Sequence, residues 1–284
     1  MKIDLNLCFP QLKAFIFHEE TIKNASICTV YNYYRDLILF FKYIKSIKKE
    51  TSTNDKIKDT DITDIDTKFL SSITYEEIEQ YFFYLKSVKN NNAATRKRRV
   101  ISLRNFFRFL NLTVEVIDSD PAKKLVTPKL NKSLPKFMLE EECIALLNSI
   151  DGTNKERDYC IFVLFINSGI RLSELVELNY TDIDRQGNVV IRGKGSKERR
   201  IIFNKTCLEA LAEYEKFKEI HYQNKERDRD AVFVGRTGKR LTARRIEQIV
   251  KQRITAAGFG GRALSPHKLR HTAATVMYRR GVDI

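Results

Sequence analysis

From Ser26 to Ile47 the apolar residues Ile27, Val30, Tyr31, Tyr34, Leu37, Ile38, Phe41 and Ile44 recur at steps of three and four. That spacing draws one stripe down a helix of about six turns. A helix with a single apolar stripe must bury it against others, so the first part of the chain has to fold as packed helices. Tyr75 to Val88 repeats the period with Ile78, Tyr81, Phe82 and Leu85 inward. Ala93 to Leu112 repeats it with Val100, Leu103, Phe106, Phe107 and Leu110 on one side, while Arg96, Lys97, Arg98, Arg99, Arg104 and Arg108 crowd the rest. Residues 48–67, polar and rich in Ser, Thr, Asn and Asp, read as a loop between helices.

Texture changes after the cationic helix. Asp118–Lys136 holds three prolines, at 121, 128 and 135, and no hydrophobic period. Such a stretch reads as an extended connection, and Lys123 and Lys124 suit a strap along phosphates. The boundary falls near Lys132–Pro135, giving a helical domain over 1–117, a basic linker over 118–135 and a second domain over 136–284. In the second domain, helices are expected at Glu140–Ile150, Lys155–Asn167, Leu172–Leu178, Lys205–Ile220, Thr242–Ala257 and Pro266–Arg280. Asn188–Arg192 and Arg199–Phe203 read as two strands joined by the turn Gly193-Lys194-Gly195-Ser196-Lys197. The fold class is therefore mainly α, with a small antiparallel β-sheet in the second domain.

Charge narrows the function. Fifty-one Lys and Arg against thirty-six Asp and Glu leave a net charge of +15, which draws the chain toward a polyanion, nucleic acid first. From Ala93 to Lys136 alone, eleven basic residues face three acids. The five cysteines are widely spaced and never form a CxxC pair, so neither a disulfide framework nor a zinc cage is encoded, and a reducing cytoplasm fits. Apolar runs such as Cys160–Ile166 fall short of the roughly 18 to 20 residues of a membrane span. The N-terminus, with Lys2, Asp4 and Asn6 among its apolar residues, is no signal peptide.

Chemistry concentrates in the second domain, in Ser168-Gly-Ile-Arg171-Leu-Ser-Glu174, in the turn around Lys194 and Lys197, and in Ser265-Pro-His267-Lys-Leu-Arg270-His271. Two arginines, a lysine and a histidine brought together would grip a phosphodiester, the guanidiniums on its non-bridging oxygens and Lys and His handling protons. Taken singly, each has a plainer reading. Arg171 can be a helix-end arginine paired with Glu174, the Gly-Lys-Gly turn a tight hairpin, and the cationic helix a solvated face. His267 and His271 have a spacing that suits zinc, but no Glu lies between them and Lys268 and Arg270 repel a cation, so no metal is expected. Asp182 and Asp184 lack the Glu-x-Lys that a metal-dependent nuclease would place on the following strand.

The order and wording of these motifs, "SGIRLSEL", "GKGSKERR" and "LSPHKLRHTAAT", resemble the tyrosine recombinase (phage integrase) family, in particular its Xer-like branch. The resemblance spans nearly the whole chain, including Asp-Pro-Ala at 120–122 and Pro-Lys-Leu at 128–130. It implies a two-domain DNA clamp, a core-binding domain followed by a catalytic domain, with Arg171, Lys194, His267 and Arg270 as catalytic residues. Glu174 would support Arg171, and Lys197 shares the turn with Lys194. Expected DNA contacts are Arg96, Lys97, Arg98, Arg99, Arg104, Lys123, Lys124, Lys197, Arg244 and Arg245. No cofactor is implied; the partners would be double-stranded DNA and further recombinase subunits, four on paired sites. The nucleophilic tyrosine of the family is expected beyond Ile284, so the 284 residues should bind DNA without cutting it, and Tyr278 is assigned to packing. A DNA-binding regulator of the same fold and a type IB topoisomerase are the alternatives.

Overall fold

A computed structural model describes residues 2–49, 54–129, 137–192, 198–222, 228 and 230–279. The chain divides into two compact units, Met1–Lys132 and Ser133–Ile284. No described helix is long and apolar enough to cross a membrane.

The first unit is helical. Helix α1 (Pro10–Phe17) runs into a π-helical turn at His18–Ile22, followed by α2 (Ile27–Lys48), the short α3 (Asn54–Asp59) and α4 (Thr67–Ser71), α5 (Tyr75–Ser87) and α6 (Ala93–Leu112). Polar residues start the long helices by satisfying amides that lack an intrahelical acceptor. Ser26 caps α2 through the Thr29 N–H, Asn92 caps α6 through the Thr95 N–H at 2.8 Å, and Thr74 and Glu77 form a reciprocal capping box on α5. The apolar stripes of α2 and α6 meet over an aromatic core. Phe9 lies edge-on to Phe41 at 4.8 Å and Phe41 to Phe106 at 5.3 Å, all three fully buried. Each such ring contributes about 1.5–3 kcal/mol of burial before any specific ring geometry is counted.

Two stretches differ from the sequence reading. Residues 48–67 contain α3, and Ile57, Ile62 and Ile65 are buried in the first core; their spacing matches neither a helix nor a strand, so no period announced them. Asp118–Lys129, read as the start of an extended strap, is held against the first unit. Ala122 and Leu125 are buried there, Asp120 accepts the Ala122 N–H at 2.8 Å, and the Arg104 guanidinium donates to the Leu125 carbonyl. Two apolar side chains three residues apart were enough to dock a segment whose prolines suggested extension. Residues 130–136, with the expected boundary, lie outside the described residues.

The second unit comprises α7 (Glu140–Asn148), α8 (Lys155–Ser168), α9 (Leu172–Glu177), β1 (Asn188–Arg192), β2 (Glu198–Ile202), α10 (Lys205–His221), α11 (Ala243–Ala256) and α12 (Pro266–Arg279). Helix α8 is its axle. Six successive residues, Cys160 to Phe165, are 0% exposed, and a helix apolar on every side must be wrapped on every side. Helices α10 and α12 do most of the wrapping. Strands β1 and β2 pair antiparallel, with Asn188 opposite Ile202 and Arg192 opposite Glu198. None of the five cysteines forms a disulfide, and four of them are buried. Burial pushes the Cys207 thiol up to about 12, as suits a packing residue rather than a reactive one.

Candidate active site

The site is assembled where α8 stops. Gly169 takes a left-handed conformation, φ +60°, and caps the helix. Ile170 is buried, which anchors the chain as it reverses, and Arg171 is the residue that enters α9. The carbonyl of Gly169 accepts a hydrogen bond from the Arg270 guanidinium on α12. The turn that presents Arg171 thus also holds Arg270.

Glu174 fixes the first arginine. Its Oε2 accepts the Arg171 backbone N–H at 2.8 Å, the reach-back of a third helical residue to the helix entrance, and its Oε1 accepts Nη1 of the Arg171 side chain at 2.7 Å. A second guanidinium, that of Arg199 on β2, donates to Oε2 at 2.7 Å. The carboxylate is 8% exposed. Burial raises its pKa, but the hydrogen bonds from Arg199 and Arg171 outweigh that and hold it below the usual carboxylate range. Burial, then the nearby charges of Arg171 and Arg199, lowers the pKa of Arg270, with Glu174 opposing.

His267 and His271, one turn apart on α12, bring their Nε2 atoms to 3.2 Å with rings 4.5 Å apart and nearly perpendicular. Arg171, Ser173, Glu247, His267 and Arg270 are among the residues lining one cleft of about 570 Å³. Most of the expected constellation therefore converges: Arg171, Glu174, His267 and Arg270 share this corner of the unit. Lys194 and Lys197 lie outside the described residues. Arg199 was missed. It faces inward with Ile201 on β2 while Glu198 and Arg200 face out, and an arginine on the inner face of a strand needs a carboxylate; that alternation was the available signal.

The basic residues expected on DNA separate into two groups. Arg98 is paired with Asp36 on α2, and Arg99 lies 3.6 Å from the same carboxylate while donating to the Tyr81 hydroxyl at 3.0 Å. Arg96 donates to the Asn91 carbonyl and Arg104 to that of Leu125. All four side chains have partners within the first unit, Arg98 and Arg99 through the buried Asp36 carboxylate and Arg96 and Arg104 through backbone carbonyls. Lys123, Lys124, Arg244 and Arg245 are exposed and Lys97 is half-buried. Tyr278, assigned to packing, is 76% exposed on the last turn of α12, so it does not pack.

Comparison with known proteins gives the family. The model of the phage integrase family matches residues 136–284. The tyrosine recombinase XerC of Caldanaerobacter subterraneus is 37% identical over 276 residues, spanning 97% of this chain and 77% of that protein. A tyrosine recombinase XerC of Myxococcus xanthus is 32% identical over 280 residues, 97% of this chain and 86% of that one. Among solved structures, the XerH site-specific recombinase bound to a palindromic difH substrate superposes with a TM-score of 0.71 at 21% identity, covering 98% of this chain and 76% of that one, a likeness of fold. The match over the unit that carries both arginines, joined to relatives that align with nearly the full length, places the chain in the phage integrase family, among its Xer-like tyrosine recombinases.

Proposed function

We propose that this chain grips one backbone phosphodiester of duplex DNA between Arg171 and Arg270, and that the chemistry served there is strand exchange through a 3′-phosphotyrosyl intermediate and a Holliday junction. The observation that carries the reading is the convergence on one cleft of Arg171 with His267 and Arg270, which lie far along the chain from it on α12. In the step itself a tyrosine hydroxyl attacks phosphorus, the P–O bond to the tyrosine forms as the bond to the 5′-oxygen breaks, and the 5′-hydroxyl of the partner duplex then attacks the same phosphorus, forming the new P–O bond as the bond to the tyrosine breaks and completing the exchange. Each ester lost is replaced by another, so no external energy source is consumed. Arg171 and Arg270 stabilise the charge that grows on the five-coordinate phosphorus. His267 takes the proton of the attacking hydroxyl, and Lys194 supplies one to the leaving oxygen. Lys97, Lys123, Lys124, Arg244 and Arg245 hold flanking phosphates, and four subunits act on a pair of sites.

Among the described residues no tyrosine lines the cleft, so a polypeptide of residues 1–284 is expected to bind duplex DNA and leave it intact. Incubation with a supercoiled plasmid and with labelled duplex, followed by heating in detergent and electrophoresis, tests this. A retarded complex in native gels that disappears in detergent supports the reading. A detergent-resistant protein–DNA band shows that a tyrosine within 1–284 attacks after all. Failure to retard duplex at low salt removes the phosphate grip altogether.

A further inference from the structure

Glu174 serves two guanidiniums, and the second has no place in the reading above. Its Oε1 receives one nitrogen of Arg171 (2.7 Å), whereas Oε2 receives the Arg171 amide (2.8 Å) and Arg199 Nη2 (2.7 Å). The Arg171 side chain remains 53% exposed and that of Arg199 only 35%. Arg199 is not among the residues lining the cleft, and its Nε is buried without a hydrogen-bond partner.

A carboxylate facing one guanidinium closes into a coplanar two-pronged pair and uses two of its nitrogens. On Glu174 that closure is blocked, because Arg199 and the amide already fill Oε2. Arg171 therefore meets Oε1 through Nη1 and keeps its other nitrogens for the cleft. Charge points the same way. Three guanidiniums, those of Arg171, Arg199 and Arg270, face the buried Glu174 carboxylate and the exposed Glu247 on the cleft wall, so this corner stays net positive. Negative charge on a phosphodiester grows on passing to its five-coordinate transition state, so a corner that stays net positive favours that state. Without Arg199, Glu174 would cancel Arg171 outright.

We infer that Arg199 is a positioning residue of the phosphate site: by occupying Oε2 of Glu174 it keeps Arg171 from closing onto that carboxylate and holds its guanidinium open to a phosphate. The inference rests on the phosphate-grip reading. Its test is arginine side-chain nitrogen NMR of the full 284-residue chain, with the Arg171 resonance assigned by its loss in R171K, titrated with a duplex oligonucleotide. In the unsubstituted protein the Arg171 resonance moves as duplex is added. In R199A it starts from a different position and no longer follows the titration, affinity falls about tenfold as for loss of one charge-assisted hydrogen bond, and R171A/R199A binds no more weakly than R171A. If R199A does not fold, as judged by its circular dichroism melt, R199Q fills the space without the charge and is read the same way. An Arg171 resonance that follows DNA equally well in these variants, with or without a lowered melting temperature, overturns the role of Arg199 and leaves the phosphate grip standing. An Arg171 resonance indifferent to DNA in the unsubstituted protein overturns the grip itself.

Discussion

On α12, His271 Nε2 faces His267 Nε2 at 3.2 Å. His271 is kept below the usual histidine range by burial, then by His267, Lys268 and Arg270. In the free protein, the unfolded chain takes the proton more readily than the folded one, so stability declines as pH falls through about 6.5 and below. A bound phosphodiester adds negative charge near His271 and reverses the preference. Duplex affinity should therefore rise roughly three- to tenfold from about pH 7.5 to about pH 5.5, with net proton uptake on binding. Calorimetric titration in buffers of different ionisation enthalpy measures that uptake directly, and H271A should abolish most of it. An affinity independent of pH over this range would show that His271 does not sense the bound phosphate. The same scale shows how far motif reading reaches: Arg171, Glu174, His267 and Arg270 stood in the sequence as candidates, whereas Arg199 sat inside a quoted motif with no assigned task.

At the scale of elements, α2 and α6 are joined by a buried charge as well as by their aromatic stripes. Asp36 is 2% exposed and receives Ser102 Oγ at 2.7 Å, with the Arg98 and Arg99 guanidiniums alongside. Burial raises its pKa, while Ser102, Arg98 and Arg99 oppose the rise. Removing Asp36 leaves Ser102 and the largely buried Arg99 without their partner, a loss of about 3–5 kcal/mol. D36A should lower the stability of the first unit by that amount in denaturant unfolding, while a helical signal from the second unit survives. A loss under about 1 kcal/mol would mean that the arginines find water instead. The period of apolar residues disclosed α2, α5 and α6 within a residue or two at their ends, and both strands within one. It did not disclose α3 or the docking of Ala122 and Leu125, since single buried side chains on short segments carry no period.

For the whole molecule, the two apolar cores share no residue: one draws on Cys8 through Leu125, the other on Met138 through Leu269. Each unit has what an independent fold requires, so thermal unfolding should resolve into two calorimetric transitions, with D36A moving only one of them. A single transition shifted as a whole would show that the units unfold together. The charge of +15 acts at this scale too. Duplex binding should weaken linearly on a log–log plot against salt, by roughly 10³ to 10⁵ between 50 and 200 mM if about six to ten phosphates are held. A flat plot would argue against a backbone-dominated complex.

The sequence by itself determined the helical class, the small hairpin, the attraction to a polyanion and the order of motifs that identifies the family. All of these are local or additive properties: a period of three and four residues, a sum of charges, a run of adjacent letters. Only the tertiary structure decided which cations are spent on the protein and which face outward. Arg98 meets Asp36 across 62 residues, Arg199 meets Glu174 across 25, and Arg270 meets Gly169 across 101. A guanidinium is drawn by whichever negative charge or carbonyl folding brings nearest, and at such separations that neighbour is fixed by how the helices pack, not by how far apart the letters stand.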